Sequence, residues 1–326
     1  MCYPIVSTAC CGGSRSGGDQ LKIRRVQNRL RVAAASSVIA LIAVGCGSSS
    51  NGSTGASAGS TPTPSASSVS SIAAQVPQAI RNKGALNVAA DATYAPNEFI
   101  APDGHTVVGM DADLAKALGQ VMGLKVNLIN ATFDTIIPGL VSGKYDLGMS
   151  SFTDTLARQK IVDFVTYYNA GTSFYVKKAG GPNIQSLADL CGHTVAAEKG
   201  TTQQADAQAQ AIKCKAAGKT TVTVQVYNDQ NAVNLALSSG RAQVAMADSP
   251  VAEYQVKKSG GTFKLSGPPY GTAPYGIAIP KHSGMTTPVL AAVKHLMADG
   301  TYKKILVKWG VEQGAISNPA INAAKS

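Results

Sequence analysis

The feature that most constrains the fold of this 326-residue chain is an alternation of strand-like and helix-like segments that begins near residue 85. Residues 86–90 and 125–130, with apolar side chains such as Val88 and Leu128, are typical of strands. Between them, residues 111–121 place Leu114, Leu118 and Val121 on one face of a helix. Strands that alternate with helices predict α/β sheets whose strands are mostly parallel.

The alternation occurs in two sets. The first ends with a strand at 162–165 and an extended segment at 173–177, and the second includes a helix at 230–239. A terminal strand at 275–279 follows, with helices at 287–299 and 301–309. The chain is long enough for two domains, so the two sets predict two lobes. Ligands of open α/β sheets bind beyond the carboxyl ends of the strands. We therefore expect a binding site in the cleft between the lobes.

The N-terminal region has the order of a secretory signal. Residues 22–31 are basic, residues 32–44 are apolar, and Gly45-Cys46 follows. The apolar run is too short for a permanent membrane span. Residues 1–20 fit no signal pattern, so we treat residues 1–45 as a leader and expect translation to begin near Leu21 or Val26. A metal site at Cys2, Cys10 and Cys11 is the alternative, although no histidine lies near them in the sequence.

The segment after Cys46 is rich in Gly, Ser, Thr and Pro over residues 47–70. Such a composition buries no core and favours a flexible tether. We assign residues 46–83 to the anchor and the tether, and we place the start of the globular part near residue 84.

The charge of the chain argues against a nucleic-acid partner. The formal net charge is +11, and the leader of residues 1–45 contributes +5 of it. The remaining positive charge is spread along the chain without a basic run. We interpret it as a solvated, mildly basic surface.

Two cysteines of the exported part, Cys191 and Cys214, flank the first strand and helix of the second set. Paired thiols are favoured outside the cytoplasm, so we predict a disulfide. It would close a loop of about 24 residues and stabilise the fold by roughly 3 kcal/mol in the chain-entropy model.

Polar residues follow several of the predicted strands, at residues 91–96, 150–158, 200–203 and 247–250. Their chemistry suits a zwitterion. The Arg158 guanidinium can hold a carboxylate, with N–H groups of a helix start at 201–203 beside it, and Asp248 can hold an ammonium. Hydroxyls at Ser150, Ser151 and Thr153 add neutral partners, and the rings of Tyr94 and Phe133 can cover an alkyl part.

Each of these residues has an ordinary structural alternative. Arg158 can pair with Asp154 at the surface, Thr201 and Thr202 can cap a helix, and Asp91 and Asp248 can cap or turn. Together, at successive strand ends, they favour a pocket. No phosphate loop, zinc spacing or GxSxG elbow occurs, so the sequence implies no cofactor, no metal and no catalytic residue.

Three motifs carry a family resemblance: Gly-Met-Asp-Ala-Asp-Leu at residues 109–114, the run at 133–146, and the run at 158–164. With these motifs the chain resembles the family 3 extracellular solute-binding proteins, the polar amino-acid receptors of ABC importers, over residues 85–312. The resemblance implies a two-lobed periplasmic-binding-protein fold of type II. Lobe 1 would comprise residues 84–173 and 272–315, lobe 2 would comprise residues 174–271, and the hinge would lie near 170–172 and 270–273.

The resemblance also implies roles for single residues. Arg158 would grip the α-carboxylate of the ligand with Thr201 and Thr202, and Asp248 would take the α-ammonium. The remaining positions would be first-lobe polar contacts and the side-chain end of the ligand: Ser150, Ser151, Thr153, Asp91, Tyr94 and Phe133. Glu198 stands where many relatives carry an apolar or amide residue, and a carboxylate there favours a cationic or hydrogen-bonding side chain.

The partners follow from the same resemblance. Residues 43–46, AVGC, resemble a lipobox, which implies lipidation of Cys46 and a position at the outer face of the membrane. We expect a monomer that binds an amino acid, closes around it and docks on an ABC permease. Two alternatives remain: a dehydratase on the same fold, for which Glu198 would be the general acid, and a ligand-sensing protein.

Overall fold

The computed structural model describes residues 64–324, so the predicted leader, Cys46 and most of the predicted tether lie outside the described part. Within residues 64–324, no helix is both long and apolar enough to cross a membrane. The strands of this part are β1 (Ala85–Ala90), β2 (Thr93–Tyr94), β3 (Glu98–Ile100), β4 (Val107–Val108), β5 (Lys125–Asn130), β6 (Leu147–Gly148), β7 (Val162–Lys177), β8 (Thr194–Glu198), β9 (Thr223–Tyr227), β10 (Val244–Asp248) and β11 (Phe263–Pro280).

Helices alternate with these strands from β4 onward. They are α1 (Ser70–Ala73), α2 (Gln78–Lys83), α3 (Met110–Val121), α4 (Phe133–Val141), α5 (Leu156–Gln159), α6 (Thr202–Ala216), α7 (Gln230–Ser239), α8 (Ser249–Lys258), α9 (Thr286–Ala298) and α10 (Thr301–Trp309). Short 3-10 turns at Leu187–Leu190 and Glu312–Gly314 complete the described part.

Eight strands form a continuous sheet in the order β5-β1-β6-β11-β7-β10-β8-β9. At one end β1 pairs in parallel with β5 and β6, and at the other β8 pairs in parallel with β9 and β10. The two central strands, β7 and β11, run antiparallel to each other. The predicted α/β class with mostly parallel strands is confirmed, and helices flank the sheet.

The two central strands differ from the sequence prediction. Residues 162–165 and 173–177 were expected as separate strands, and a strand was expected at 275–279, whereas β7 and β11 are each continuous. Their register shifts between Ser266, Tyr270 and Ala273, near the predicted hinge. There the backbones approach closely, because a Cβ at Gly171 would lie 2.8 Å from the Tyr270 carbonyl oxygen. We keep the names lobe 1 and lobe 2 for the residue ranges predicted above.

Each lobe has an apolar core of its own. In lobe 1, Leu114 and Leu118 of α3 pack with Val289 of α9 and Ile305 of α10. In lobe 2, Phe174 and Val244 lie among buried residues that include Cys214. The predicted disulfide between Cys191 and Cys214 is present, and it joins the turn before β8 to α6.

The folded region extends past both predicted ends of lobe 1. Residues 70–83, which we assigned to the tether, form α1 and α2, and Ile72 and Val76 are buried in the lobe 1 core. After residue 315 the chain continues along β7, where Thr166 N–H donates to the Ala320 carbonyl at 2.9 Å. Both segments are rich in small and polar residues, so their packing leaves little pattern in the sequence.

Candidate functional site

Residues from both lobes meet in a cleft at the carboxyl ends of β8 and β10. Eight of the predicted site residues line it: Tyr94, Phe133, Ser151, Thr153, Arg158, Thr201, Thr202 and Asp248. The other three, Asp91, Ser150 and Glu198, are buried beside the lining rather than in it.

Arg158 lies on α5, whose first turn is capped by Thr155. Its Nη1 donates to the Thr153 carbonyl at 2.8 Å, and its Nη2 donates to the Gly200 carbonyl of lobe 2 at 3.0 Å. The guanidinium stands 5.2 Å from the centre of the Phe133 ring and 5.5 Å from that of Phe152. Burial lowers the pKa of Arg158, and the nearby Asp248 charge opposes that shift. The group therefore stays cationic, because its ordinary pKa is far above neutral.

Asp248 ends β10 and precedes α8. Its side chain makes no capping hydrogen bond, so the alternative of a plain helix cap is not what the structure has. Oδ2 accepts from the Tyr275 hydroxyl at 2.7 Å, and Oδ1 accepts from Gln203 Nε2 at 2.6 Å. Burial raises the pKa of Asp248 to about 6, which leaves it ionised at neutral pH.

The start of α6 combines a cap with the wall of the cleft. Thr201 is the N-cap, since its hydroxyl accepts from the Gln204 N–H at 3.2 Å. The same hydroxyl donates to the Glu198 carbonyl at 2.7 Å. The capping alternative therefore holds for Thr201, which also lines the cleft beside Thr202.

Asp91, Tyr94 and Glu198 form a second polar group next to the aromatic part of the cleft. Asp91 accepts from the Thr93 hydroxyl at 2.7 Å and from the Phe133 N–H at 2.9 Å. Neither carboxyl oxygen of Glu198, in a side chain 1% exposed, has a hydrogen-bond partner in the described part. Burial and then the Asp91 charge raise the pKa of Glu198 to about 10.

The two serines after β6 play different parts. Ser150 is fully buried, and its hydroxyl accepts from the Asp91 N–H at 2.8 Å, which places it behind the wall. Ser151 faces the cleft with a left-handed backbone, φ 51°. Left-handed backbone is costly for a residue other than glycine, so neighbouring contacts must hold it.

Several contacts join the two lobes directly. Lys199 Nζ lies 2.8 Å from Asp134 Oδ2. The Gln230 N–H donates to the Thr93 hydroxyl at 3.2 Å. Together with the Arg158 contact to Gly200, they describe lobes that are closed on each other.

Some residues of this region were not predicted. Gln203 and Gln230 line the cleft, and Tyr275 and Phe152 support Asp248 and Arg158. Gln203 belongs to a polar stretch that the sequence does mark. Tyr275 lies on β11, far along the chain from its partners, and no local pattern distinguishes it.

Comparison with known proteins gives a family match. Residues 86–312 match the model of bacterial extracellular solute-binding proteins, family 3. The arginine-binding protein ArgT of Corynebacterium glutamicum is 34% identical over 258 residues, which is 78% of this chain and 83% of the relative. The ABC transporter arginine-binding protein 1 of Escherichia coli is 33% identical and covers 69% of this chain and 90% of the relative.

Solved structures agree with these relatives. An ancestral arginine-binding protein bound to arginine is 37% identical with a TM-score of 0.64, and the match covers 69% of this chain and 98% of that one. The ancestral amino acid-binding protein AncCDT-1, a precursor of cyclohexadienyl dehydratase, is 34% identical with a TM-score of 0.64 and coverage of 71% and 97%.

Proposed function

The chain belongs to the bacterial extracellular solute-binding proteins of family 3, and from this premise we propose that it captures a cationic amino acid, foremost arginine, and delivers it to an ABC permease. The observation that carries the choice of ligand is Glu198, a buried carboxyl group without partners beside Asp91. A buried carboxylate is costly unless it is paired. A cation at the side-chain end of the cleft would supply the pair.

The other end of the cleft suits the α-amino acid group. Arg158 uses one N–H for Thr153 and one for Gly200, and a guanidinium has five, so donors remain for an α-carboxylate. Asp248 is held in place by Tyr275 and Gln203 and would accept from the α-ammonium. Charge-assisted hydrogen bonds of this kind are stronger than neutral ones.

Relatives support the ligand class. The curated relatives named above are arginine-binding proteins of Corynebacterium glutamicum and Escherichia coli. A related glutamine-binding protein of Bacillus subtilis is 32% identical, so family membership alone does not select arginine. The selection rests on the carboxyl groups of Asp91 and Glu198.

Binding would proceed by closure of the lobes. The contacts of Lys199 with Asp134, Arg158 with Gly200 and Gln230 with Thr93 form only when the lobes meet. A ligand that touches both lobes stabilises this closed form over an open one. The closed form would then be the one that docks on the permease.

We also propose the location and state of the protein. Family 3 proteins of this kind act outside the cytoplasm, and lipidation of Cys46 would hold this one at the outer face of the membrane as a monomer. Mass spectrometry of the membrane-bound protein tests the anchor. An unmodified Cys46 would refute the anchor. A Cys46→Ser variant that stays attached to the membrane would also refute it.

The ligand class is tested by calorimetric titration of the exported chain, from residue 46 onward with Cys46→Ser. Arginine is expected to bind more tightly than lysine or ornithine, with glutamine weaker by at least an order of magnitude. Equal affinity for arginine and glutamine would contradict the role of Glu198. Heat-induced unfolding with and without each ligand gives an independent check, since a ligand of the folded state raises the Tm.

The dehydratase alternative is separated by the same preparation. Its specific support is the similarity to the dehydratase precursor and the protonated state of Glu198 at neutral pH. Turnover of prephenate or arogenate that is lost in Glu198→Gln would establish an enzyme. We expect no turnover, because Arg158 and Asp248 already account for the cleft without a reacting group. A kinase gene beside this gene, instead of a permease and an ATPase, would favour sensing.

A further inference from the structure

Two buried carboxyl groups of lobe 1 stand directly behind Ser151. Glu98 lies at the start of β3, and Asp111 lies in the first turn of α3. Both side chains are 0% exposed. Neither takes part in an ion pair in the part of the chain that the structure describes.

Both groups contact Ser151. The Ser151 N–H donates to Asp111 Oδ2 at 2.9 Å, and the Ser151 hydroxyl donates to Glu98 Oε2 at 3.2 Å. Asn97 Nδ2 donates to the same hydroxyl at 2.9 Å. The Tyr167 hydroxyl reaches Asp111 at 2.8 Å from the other side. Backbone and side chain of Ser151 are thus both held by the pair.

The hydrogen bonds indicate where a proton lies. Asp111 receives donors from Ser151 and Tyr167, as an ionised carboxylate does. Glu98 Oε1 is buried and has no hydrogen-bond partner in the described residues, and the Asp111 carboxylate, which holds the same serine, lies near Glu98. Two adjacent buried carboxyl groups do not both ionise. A proton held by Glu98 and shared with Asp111 would satisfy both groups.

The titratable surroundings favour that proton. The titratable groups that interact electrostatically with Glu98 are Asp111, Asp91, Tyr94, Tyr167 and Tyr275, and all of them are acids. Burial, followed by the Asp111 charge, raises the pKa of Glu98 well above its usual range. Burial also raises the pKa of Asp111, while the donors from Ser151 and Tyr167 lower it.

We propose that Glu98 and Asp111 are positioning residues that share one proton and hold Ser151, with its left-handed backbone, in the arrangement that meets the ligand. The proposal rests on the proposed function, because Ser151 lines the cleft to which the ligand is assigned. Neither carboxyl group lines that cleft, so both act through Ser151.

A double-mutant cycle tests whether Glu98 acts through Ser151. The variants are E98L, E98Q, S151A and the two combinations, and arginine affinity is measured by calorimetry on the exported chain with Cys46→Ser. E98L removes the proton donor and the acceptor, and we expect it to weaken binding at least tenfold. E98Q keeps an N–H for Asp111 and an acceptor for Ser151, so it is expected to bind at least tenfold better than E98L. In the S151A background the gap between E98L and E98Q is expected to shrink below threefold.

A gap of the same size with and without Ser151 would overturn the proposal, because Glu98 would then act by another route. Equal affinities of E98L, E98Q and the parent protein would also overturn it. The Tm of each variant is measured alongside as a folding control. If a variant of the cycle does not fold, the infrared measurement described next decides the proposal.

The shared proton is tested by infrared spectroscopy of E198Q, which lacks the protonated carboxyl group of Glu198 and serves as the parent here. At pH 7 we expect the C=O band of a buried carboxylic acid, and we expect E98Q to abolish it. A band that persists in E98Q, or that is absent from the parent, contradicts the shared proton. This readout needs no ligand, so it stands even if arginine does not bind and the proposed function fails.

Discussion

Two pairs of buried carboxyl groups lie next to the lining of the cleft, and their hydrogen bonds distinguish them. Glu98 and Asp111 belong to lobe 1, where Ser151 donates to both. Glu198 of lobe 2 lies near Asp91 of lobe 1, and among the described residues neither of its oxygens makes a hydrogen bond of regular geometry, although the Tyr94 hydroxyl is close to it. Burial raises the pKa in both pairs, but each group of the first pair accepts a hydrogen bond from Ser151, whereas Glu198 accepts none of regular geometry.

The role of a buried pair of acids depends on whether both belong to one lobe or to two. A pair inside one lobe is present whether the lobes are open or closed, so the fold must satisfy it. A pair that forms between lobes is assembled by closure, and a molecule in the cleft can supply the missing donors. In our proposal, Glu98 and Asp111 shape the wall of the cleft, and Asp91 with Glu198 would select the ligand.

Both pairs matter only if Arg158 and Asp248 bind the α-carboxylate and the α-ammonium of the ligand. Removing either of these two side chains is expected to have the largest effect on arginine affinity. Arg158→Ala and Asp248→Ala each leave a buried charge of the ligand unpaired, which costs about 2–5 kcal/mol. Arginine binding is therefore expected to weaken by roughly 30-fold or more in calorimetric titrations. Unchanged far-ultraviolet circular dichroism and a similar Tm serve as the folding control. Near-normal arginine affinity in both variants would refute the proposed roles of Arg158 and Asp248.

The selectivity of the pair between lobes is the next test. Glu198→Gln removes the carboxyl group that would give up its proton and pair with a cationic side chain, so arginine affinity is expected to fall about tenfold to 100-fold, as for a lost charge-assisted bond. Glutamine affinity is expected to change much less. Glu253→Gln on α8 is the matched control, because it makes the same chemical change in the same lobe outside the cleft. If Glu198→Gln weakened arginine and glutamine binding equally, Glu198 would not select the ligand, and the two pairs of carboxyl groups would not differ in role.

The two pairs are also expected to differ in their effect on stability. The folded pKa of Glu198 is about 10, above the usual 4.5, so its proton is retained on folding. As pH rises past the unfolded pKa toward 10, the unfolded state ionises and the folded protein loses stability. Glu198→Gln is therefore expected to be more stable than the parent at pH 8, by about 1–3 kcal/mol.

That stability gain has a distinct pH signature. It is expected to disappear near pH 4, where the glutamate is protonated in both states. Urea unfolding without ligand at both pH values measures the free energy of unfolding of Glu198→Gln and of the parent. A variant that is no more stable than the parent at pH 8 would show that another group satisfies Glu198. E98Q is expected to gain less, because Glu98 already has donors and acceptors in lobe 1.

The smallest effect is expected at the rim. Lys199 and Asp134 join the lobes at 2.8 Å, but the lysine side chain is 56% exposed. Exposed ion pairs contribute about 0.2–1 kcal/mol and are screened by salt. Lys199→Ala is expected to weaken arginine binding less than fivefold, and still less in 0.5 M salt. A larger loss would mean that closure depends on the rim as much as on the buried pair.

Much of the fold could be predicted because its helices and inner strands have strong patterns. Residues 230–239 and 301–309 were predicted with the bounds that the structure has. The small sheet of β2, β3 and β4 was not predicted, since its strands have only two or three residues and Pro96 interrupts them. The continuity of β7 and β11 was missed because Gly171 and Gly271 break the apolar pattern where the strands cross between lobes.

The candidate site divides in the same way. Polar residues at strand ends, such as Arg158 and Asp248, stand out because their neighbours are apolar. The chemistry of these residues did not decide between a binding role and a structural one, and the family resemblance supplied the predicted binding roles. Glu98 had no signal, because an acid on a short strand looks like any exposed glutamate until the fold shows it buried behind Ser151. The partners of a buried group come from distant parts of the chain, and local patterns do not record them.

The pairing of β7 with β11 has a consequence for the order in which the chain folds. Val162 pairs with Pro280 in lobe 1, whereas Lys177 pairs with Phe263 in lobe 2, so the contacts of lobe 1 close the longer loop. Contacts between distant residues form slowly, because the chain entropy of the loop is lost before they form. Lobe 2 is one uninterrupted stretch and can assemble first. We therefore expect lobe 1, which carries Arg158 and Ser151, to complete its folding last, because its part of β7 pairs with the end of β11.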